Sequence, residues 1–345
     1  MMANLELLQW LCGAQGVSGD EESIRRLILD EIEPYADNVE VTPLGNIIAF
    51  KMGKQRPKTK LMLSAHMDEV GFIITHITED GLLKFAEVGG LDQRVLCGKS
   101  VLVNRKYPGV IGAKPIHLME SDEREKSVPA KDLYIDIGAK DRAEAEQAVR
   151  PGDTACFVSG FDTAYGMVKS KALDDRAGCV ILIDLLRKEL EYDMTFVFAV
   201  QEEVGLRGAK TAAYTVRPDA AIVVETTTAA DIAGVEPERQ VCRVGQGPVV
   251  SFMDRSTIYD REYYRLAFET AEKLGIKCQA KEAVAGGNDA GAIHVTRGGI
   301  RTLAVSLACR YLHSAAGLIA QEDFHAAEEL VFALANQIAG MEPQG

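Results

Sequence analysis

No run of lysine and arginine longer than two occurs in this 345-residue sequence, and 51 Asp and Glu face 38 Lys and Arg, a formal charge of −13. Such a balance repels a phosphate backbone unless a basic patch offsets it, so nucleic acid is not an expected partner. No stretch approaches the roughly 18 consecutive apolar residues of a membrane span, and no membrane partner is expected. The opening segment MMANLELLQWLCGAQG lacks a cationic start and carries Glu6 inside its short apolar stretch, so it reads as an amphipathic helix and not a signal peptide. No C-x-x-C pair is present. The seven cysteines (Cys12, Cys97, Cys156, Cys179, Cys242, Cys278, Cys309) are scattered and mostly set in apolar runs, the pattern of buried reduced thiols in a cytoplasmic protein. Internal repeats and low-complexity tracts are also missing. What remains, 47% apolar and 26% charged residues, is an ordinary globular composition, long enough for one large domain or two unequal ones.

Residues 21–35 are expected to form a helix, because Ser18 and Glu21 have capping-box spacing and Ile24, Leu27, Ile28 and Ile32 share one face. Strands are expected at 46–50 and 60–65. The second, KLMLSA, is a nearly continuous apolar run of the kind buried on both faces of a parallel sheet, and it ends on His66. From residue 69 to about 161, short β-rich bursts alternate with Gly, Pro and charge clusters, the texture of a small all-β barrel or sandwich. A helix at 142–149 interrupts it, and the charged stretch 115–131 reads as a solvated loop. After Gly166, strands at 167–170, 194–200, 220–225, 249–253 and 302–307 alternate with helices at 176–190, 208–214, 260–274, 289–295 and 324–338. The pattern predicts a doubly wound, mostly parallel α/β sheet with helices on both faces, formed by 1–68 and 164–345 and interrupted by a β insertion at 69–163.

Ligands of an open α/β sheet gather where loops converge beyond the carboxyl ends of the strands. His66 and Asp68 follow LMLSA, Asp174 and Asp175 follow the 167–170 strand, Glu202 and Glu203 follow TFVFAVQ, Glu225 ends AIVVE, and His313 follows LAVSLACRYL. A lone His or Asp at a strand end is ordinarily a cap or a satisfied polar group. Here the acidic pair lies between an apolar run and Val-Gly-Leu, beside the core, where an unpaired charge costs several kcal/mol and a bound cation removes that cost. Two imidazoles with several carboxylates match a divalent metal site of mixed N and O ligands.

The segments SAHMDEVGF, KALDDRAG, QEEVGLRGA, GGNDAGAI and RYLHS, in this order over nearly the whole chain, resemble the dinuclear metallo-aminopeptidases that include glutamyl aminopeptidase, the deblocking aminopeptidases and the tetrahedral TET peptidases. Some members carry an endoglucanase label. The resemblance implies two divalent metal ions, zinc with cobalt or manganese as alternatives, bridged by Asp174. His66 and Glu225 would complete one site, and Glu203 and His313 the other. Asp68 would orient His66, and Glu202 would be the general base. It also implies a cis peptide after Asp174, short peptides as substrates, and a dimerising β insertion that builds homo-oligomers up to a tetrahedral dodecamer. Most relatives carry Asp at the position of Glu225, one methylene shorter, and the usual Pro and Glu after the histidine are replaced in this chain by Ser-Ala-Ala-Gly-Leu318.

Rival readings are a deacylase of N-acyl amino acids, a glycosidase, and a catalytically silent scaffold. The metal site activates water whatever flanks the carbonyl, whereas a glycosidase needs two free carboxylates, here committed to metals. His76, His117, His294 and His325 lack a carboxylate at useful spacing and read as surface or core histidines. The stretch Gly286-Gly-Asn-Asp289 suits either a helix cap at Asn288 or Asp289 or a backbone cradle for a substrate terminus. Arg310 and Tyr311 either border the substrate pocket or, through Arg310, pair a ligand carboxylate.

Overall fold

The computed structural model describes residues 4–343. Eight strands form the main sheet in the spatial order Asn38–Val41, Ile47–Lys51, Met194–Ala199, Leu61–His66, Ala220–Thr228, Arg301–Cys309, Val249–Val250, Gln279–Ala280. The four central strands are mutually parallel, and antiparallel pairings occur only toward the two edges. The sheet is therefore mixed, with a parallel centre. Every residue of Leu61–His66 is buried, as its nearly continuous apolar run requires of a strand covered on both faces.

Alternate residues of these strands feed two cores. Leu61, Leu63, Ala65, Ile222 and Val224 join the layer that includes helices Leu5–Gly13, Glu22–Ile32, Leu173–Arg187 and Gln321–Gly340. Met62, Val197, Ala221 and Val223 face the opposite layer with Arg207–Val216 and Ala290–Ile293. A third core lies in the insertion, where strands Gly71–Ile77, Leu83–Val88, Tyr134–Asp136, Tyr107–Gly112, Ser100–Val103 and Thr154–Phe157 close into a barrel. There Phe72 meets Phe85 and Phe157 edge to face, with ring centroids 4.9 and 5.1 Å apart.

Several elements differ from expectation. The first predicted helix is Glu22–Ile32, ending ahead of Pro34, which has no N–H to continue the helical hydrogen-bond ladder. Its capping box does not form: Ser18 Oγ donates to Asp68 Oδ2, and Glu21 Oε1 accepts from the backbone N–H groups of Gly19 and Gln201. Strand Met167–Ser170 is not in the main sheet but pairs with Asp162–Ala164 and Gly317–Ala320 in a separate antiparallel sheet. The strand expected at 249–253 stops at Val250, because Asp254 gathers the N–H groups of Ser256 and Thr257 and the Tyr259 hydroxyl and curls the chain. The helices expected at 142–149 and 289–295 shorten to Arg142–Ala145 and Ala290–Ile293. Within 115–131 lie three short helical turns, Ile116–Leu118, Ser121–Arg124 and Ala130–Asp132. All seven cysteines are free thiols; five are buried and Cys278 is half-buried, but Cys97 is exposed. Among the described residues no helix is long and apolar enough to cross a membrane.

Asn46 fixes one end of the loop that matters most. Its Oδ1 accepts from Val200 N–H, and its Nδ2 donates to Gly208 C=O and Thr211 Oγ1. The close approach needs glycine at 208, since a Cβ there would lie 2.2 Å from the Val200 carbonyl oxygen. Between these two anchors hang Glu202 and Glu203.

Candidate metal centre

Each expected site residue is delivered by a different local device. His66 closes strand Leu61–His66, and Asp68 follows two residues later, fully buried. Asp174 stands in the first turn of Leu173–Arg187 with non-helical backbone, preceded by Ala172 at φ +52° and followed by the cis peptide to Asp175. It thus reaches the site from a helix start and not, as expected, from a strand of the main sheet. Gln201 at φ +55° turns the chain out of strand Met194–Ala199, and Glu202 C=O then accepts the N–H groups of Gly205 and Leu206. Glu225 was expected to end its strand; instead the strand continues to Thr228, and Glu225 sits within it opposite Ser306. His313 lies in the turn after Arg301–Cys309 at φ +56°. Gly90, from beside the barrel, packs close by: a Cβ there would be 3.5 Å from His313 Nδ1.

These residues converge on one spot. His66 Nε2 lies 3.1 Å from Asp174 Oδ1 and 3.4 Å from Glu225 Oε1. His313 Nε2 lies 3.4 Å from Asp174 Oδ2 and 3.4 Å from Glu203 Oε2. The two triads, His66 with Asp174 and Glu225 and Asp174 with Glu203 and His313, each bring their ligand atoms within 4.8 Å of one another, and Asp174 offers a different oxygen to each. Glu202 Oε2 stands further off, 4.0 Å from His66 Nε2. Asp68 Oδ1 is 3.4 Å from His66 Nδ1, while its two oxygens accept the N–H groups of Glu202 at 3.0 Å and Glu203 at 3.2 Å and the Ser18 hydroxyl at 2.6 Å. One carboxylate therefore faces a histidine ring and holds the backbone of the acidic pair.

The electrostatics describe a shortage of positive charge. Among the described residues, no Lys or Arg nitrogen comes within 4.0 Å of Asp68, Asp174, Glu202, Glu203 or Glu225. Burial, reinforced by the charge of Asp174, pushes the Glu203 and Glu225 carboxyls up to about 8 each. Burial raises Glu202 strongly as well, with Glu225, Asp289 and Glu203 adding to it and His66 opposing. Burial alone would lower His313, yet Asp174 and Glu203 carry it up to about 9, and Glu225, Asp174 and Asp68 lift the buried His66 in the same sense. Asp174, between two imidazoles, is held well below the usual carboxylate range despite its burial. Hard oxygen donors and two imidazole nitrogens in this state suit divalent cations of the zinc, cobalt or manganese type.

A cavity of about 580 Å³ opens above His66, Asp174, Glu202, Glu203, Glu225 and His313. Its other wall includes Gly286, Gly287 and Asn288, so this stretch does border the site. The capping bond there comes from Asn288, whose Oδ1 accepts Ala290 N–H, while the buried Asp289 carboxylate has no hydrogen-bond partner among the described residues and is raised by burial to about 7. Arg310 pairs with Asp231 at 2.8 and 2.7 Å, so it neither borders this cavity nor pairs a ligand carboxylate. His76 and His117 are exposed, His294 contacts the Ala290 carbonyl, and His325 lies 3.4 Å from Glu329; none joins the cluster. The sequence reading missed three contributors. Ser18 was taken for a helix cap, Asp175, which accepts His66 N–H, was read only as Asp174's neighbour, and Lys281 in the cavity wall carried no motif.

With the geometry described, comparison with known proteins becomes informative. Residues 45–330 match the family model described as M42 glutamyl aminopeptidase. A putative aminopeptidase of Acetivibrio thermocellus is 41% identical, over 94% of this chain and 96% of its own length. The crystal structure of a TET aminopeptidase from a marine sediment Thaumarchaeota archaeon superimposes with a TM-score of 0.94 at 35% identity, covering 98% of this chain and 97% of that one. The TET1 peptidase of Pyrococcus horikoshii, described as able to assemble into a tetrahedron or a large octahedral shell, gives a TM-score of 0.86 at 37% identity, with 96% and 98% covered. Sequence and fold agree over almost the whole length, and this chain belongs to the M42 glutamyl aminopeptidase family, whose members are aminopeptidases that hydrolyse peptide bonds.

Proposed function

We propose that this enzyme is a metal-dependent aminopeptidase that removes N-terminal residues from short peptides, with 1–68 and 164–345 as its catalytic domain and two divalent cations, zinc or alternatively cobalt or manganese, in its site. The supporting observation is the double approach to Asp174, one oxygen 3.1 Å from His66 Nε2 and the other 3.4 Å from His313 Nε2. His66 and Glu225 would complete one cation site and Glu203 and His313 the other, with Asp174 between them. Bound cations would supply Lewis-acid activation of a water and of the scissile carbonyl. Asp68 keeps His66 oriented with Nε2 toward the cluster. Glu202 belongs to neither triad, and its raised affinity for protons suits a general base. It takes one proton from the attacking water as the hydroxyl adds to the carbonyl carbon, and delivers that proton to the leaving nitrogen as the C–N bond breaks.

The barrel-containing insertion, residues 69–163, is proposed as a dimerisation domain, from which a homo-oligomer up to a tetrahedral dodecamer is assembled. The seven unpaired thiols favour a cytoplasmic setting.

With free and N-acetylated aminoacyl substrates compared after metal loading, Glu202→Gln is expected to keep two metals per chain and lose turnover roughly a hundredfold or more, whereas Asp174→Ala loses metal and activity together. Substantial activity in Glu202→Gln removes it as the base; cleavage of acylated substrates alone makes the enzyme a deacylase. The protein is expected to elute far above its 37.5 kDa monomer mass, and monomeric elution at micromolar concentration would count against the assembly.

Stability of the metal-stripped protein should depend on pH in a defined sense. A group whose native pKa is raised binds more protons when folded, so its stabilisation is full below the unfolded value and disappears as pH rises through the folded one. That window runs from the ordinary 4.5 to about 8 for Glu203 and Glu225, and from 6.5 to about 9 for His313. Bound cations require these ligands deprotonated. The gap in Tm between metal-loaded and stripped protein should therefore widen from pH 5 to pH 9; a constant or narrowing gap contradicts cation binding at these residues.

A further inference from the structure

Residues 14–18 run beside the segment that carries Asp68 and Glu69. Val17 forms a parallel bridge with Glu69, whose N–H donates to Gly16 C=O at 2.9 Å and whose carboxylate accepts Gly16 N–H at 3.1 Å. Lys171 Nζ, which donates to both Glu69 oxygens at 2.7 Å, also donates to Ala14 C=O at 3.0 Å. Clamped in this way by Glu69, the chain delivers Ser18 to the neighbouring Asp68, where Ser18 Oγ donates to Oδ2 at 2.6 Å.

The three residues after Ser18 hold it from the other side. Gly19, at φ +90°, turns the chain in backbone that residues with a Cβ rarely adopt. Asp20 leaves the site and binds the β insertion, accepting from Thr154 Oγ1 at 2.6 Å on one oxygen and from Arg105 Nη2 on the other. Buried Glu21 turns back: one of its oxygens accepts the N–H groups of Gly19 at 2.7 Å and of Gln201, the residue directly before the acidic pair, at 3.2 Å. Residues 18–21 therefore form a strap that reaches the barrel, Asp68 and the Glu202 loop at once.

We propose that Ser18 is a positioning residue for the hydrolysis, its hydroxyl fixing the rotation of the Asp68 carboxylate and, through Asp68, the placement of Glu202. This rests on the reading of Glu202 as general base given above. Asp68 is fully buried, and among the described residues its hydrogen bonds come from Ser18 Oγ and from the Glu202 and Glu203 N–H groups. Ser18 makes the shortest of the three. The torsion that turns a carboxylate about its Cβ–Cγ bond has broad wells, so donors decide where the oxygens point. Without the hydroxyl, Oδ2 keeps one amide donor at 3.2 Å, too little for a buried charged oxygen. A rotation that recovers donors draws Oδ1 away from the Glu202 amide, 3.0 Å distant, and from the His66 ring it faces at 3.4 Å. A displaced base loses rate without losing substrate. None of residues 18–21 lines the 580 Å³ cavity, so their contribution reaches the reaction through Asp68 and the Glu202 loop.

The test is steady-state kinetics of the metal-loaded full-length enzyme on whichever free aminoacyl-4-nitroanilide the parent cleaves fastest, with metal content and Tm recorded for each variant. Ser18→Ala is expected to lower kcat by roughly tenfold or more, to leave KM within about twofold and to keep the parent's metal content. Ser18→Thr, which retains the hydroxyl, is expected to restore most of kcat. Asp20→Ala releases the strap from the barrel and is expected to lower kcat in the same sense; combined with Ser18→Ala it adds little further loss, because both act through one contact. A Ser18→Ala enzyme with the parent's kcat overturns the proposal and leaves the aminopeptidase reading intact. A loss that Ser18→Thr does not restore, or that comes with lost metal or a raised KM, also overturns it and marks a structural role only, and so do losses that multiply in the Ser18→Ala, Asp20→Ala pair. No turnover of any free N-terminal substrate by the parent removes both readings together.

Discussion

A carboxylate taken from water into a protein interior without a counter-charge costs several kcal/mol. This chain gathers Asp68, Asp174, Glu202, Glu203 and Glu225 in one largely buried place that no described Lys or Arg reaches. Protons on His66 and His313 and on the glutamates relieve part of the repulsion, which is why those groups are all shifted toward holding them. Nearby Glu69 shows the other solution. It too is buried, but Lys171 and Arg176 neutralise it, and it is spent on joining segments and not on chemistry. The contrast within a few residues, Asp68 toward the cluster and Glu69 away from it, separates carboxylates without a Lys or Arg partner among the described residues from one that Lys171 and Arg176 neutralise.

The fold serves this arrangement by bringing distant segments to one edge. Parallel strands Leu61–His66, Met194–Ala199 and Ala220–Thr228 lie side by side and deliver His66, the acidic pair and Glu225 without long loops. Asp174 arrives from a helix start and His313 from a turn, each through backbone that glycine would adopt more readily. Asp68 then ties the parts together, since one carboxylate binds the Glu202 and Glu203 amides while facing the His66 ring. Movement of the acidic pair would disturb the histidine as well, and Asn46 and Gly208 hold the far side of that loop.

Much of this was legible from residues alone, for a physical reason. Polar residues set directly against apolar strand runs, as in LMLSAH and TFVFAVQEE, cannot be ordinary surface, so His66, Glu202, Glu203 and Glu225 stood out. The barrel was legible from its short bursts and turns. What failed depended on long-range partners. Ser18 has the spacing of a cap yet spends its hydroxyl on Asp68, fifty residues away. Strand Met167–Ser170 has the composition of a sheet strand, but only tertiary pairing decides which sheet, and it joined Gly317–Ala320. Lys281 sits in KCQAKEA, a stretch that looks like charged surface; its burial comes from the edge pairing of Gln279–Ala280, which no local pattern announces.

The cavity is lined by Asp174, Glu202, Glu203 and Glu225 and also by Arg255 and Lys281, the last directly following the short edge strand Gln279–Ala280. The central claim is that the carboxylate cluster exists to hold two cations. Crystals of the metal-free protein soaked in zinc and measured on both sides of the zinc absorption edge test it most directly. The expected anomalous map has two peaks per chain, one between His66 and Glu225 and one between Glu203 and His313, with Asp174 between them. A single peak elsewhere, or none at zinc concentrations that saturate the solution, would contradict the account.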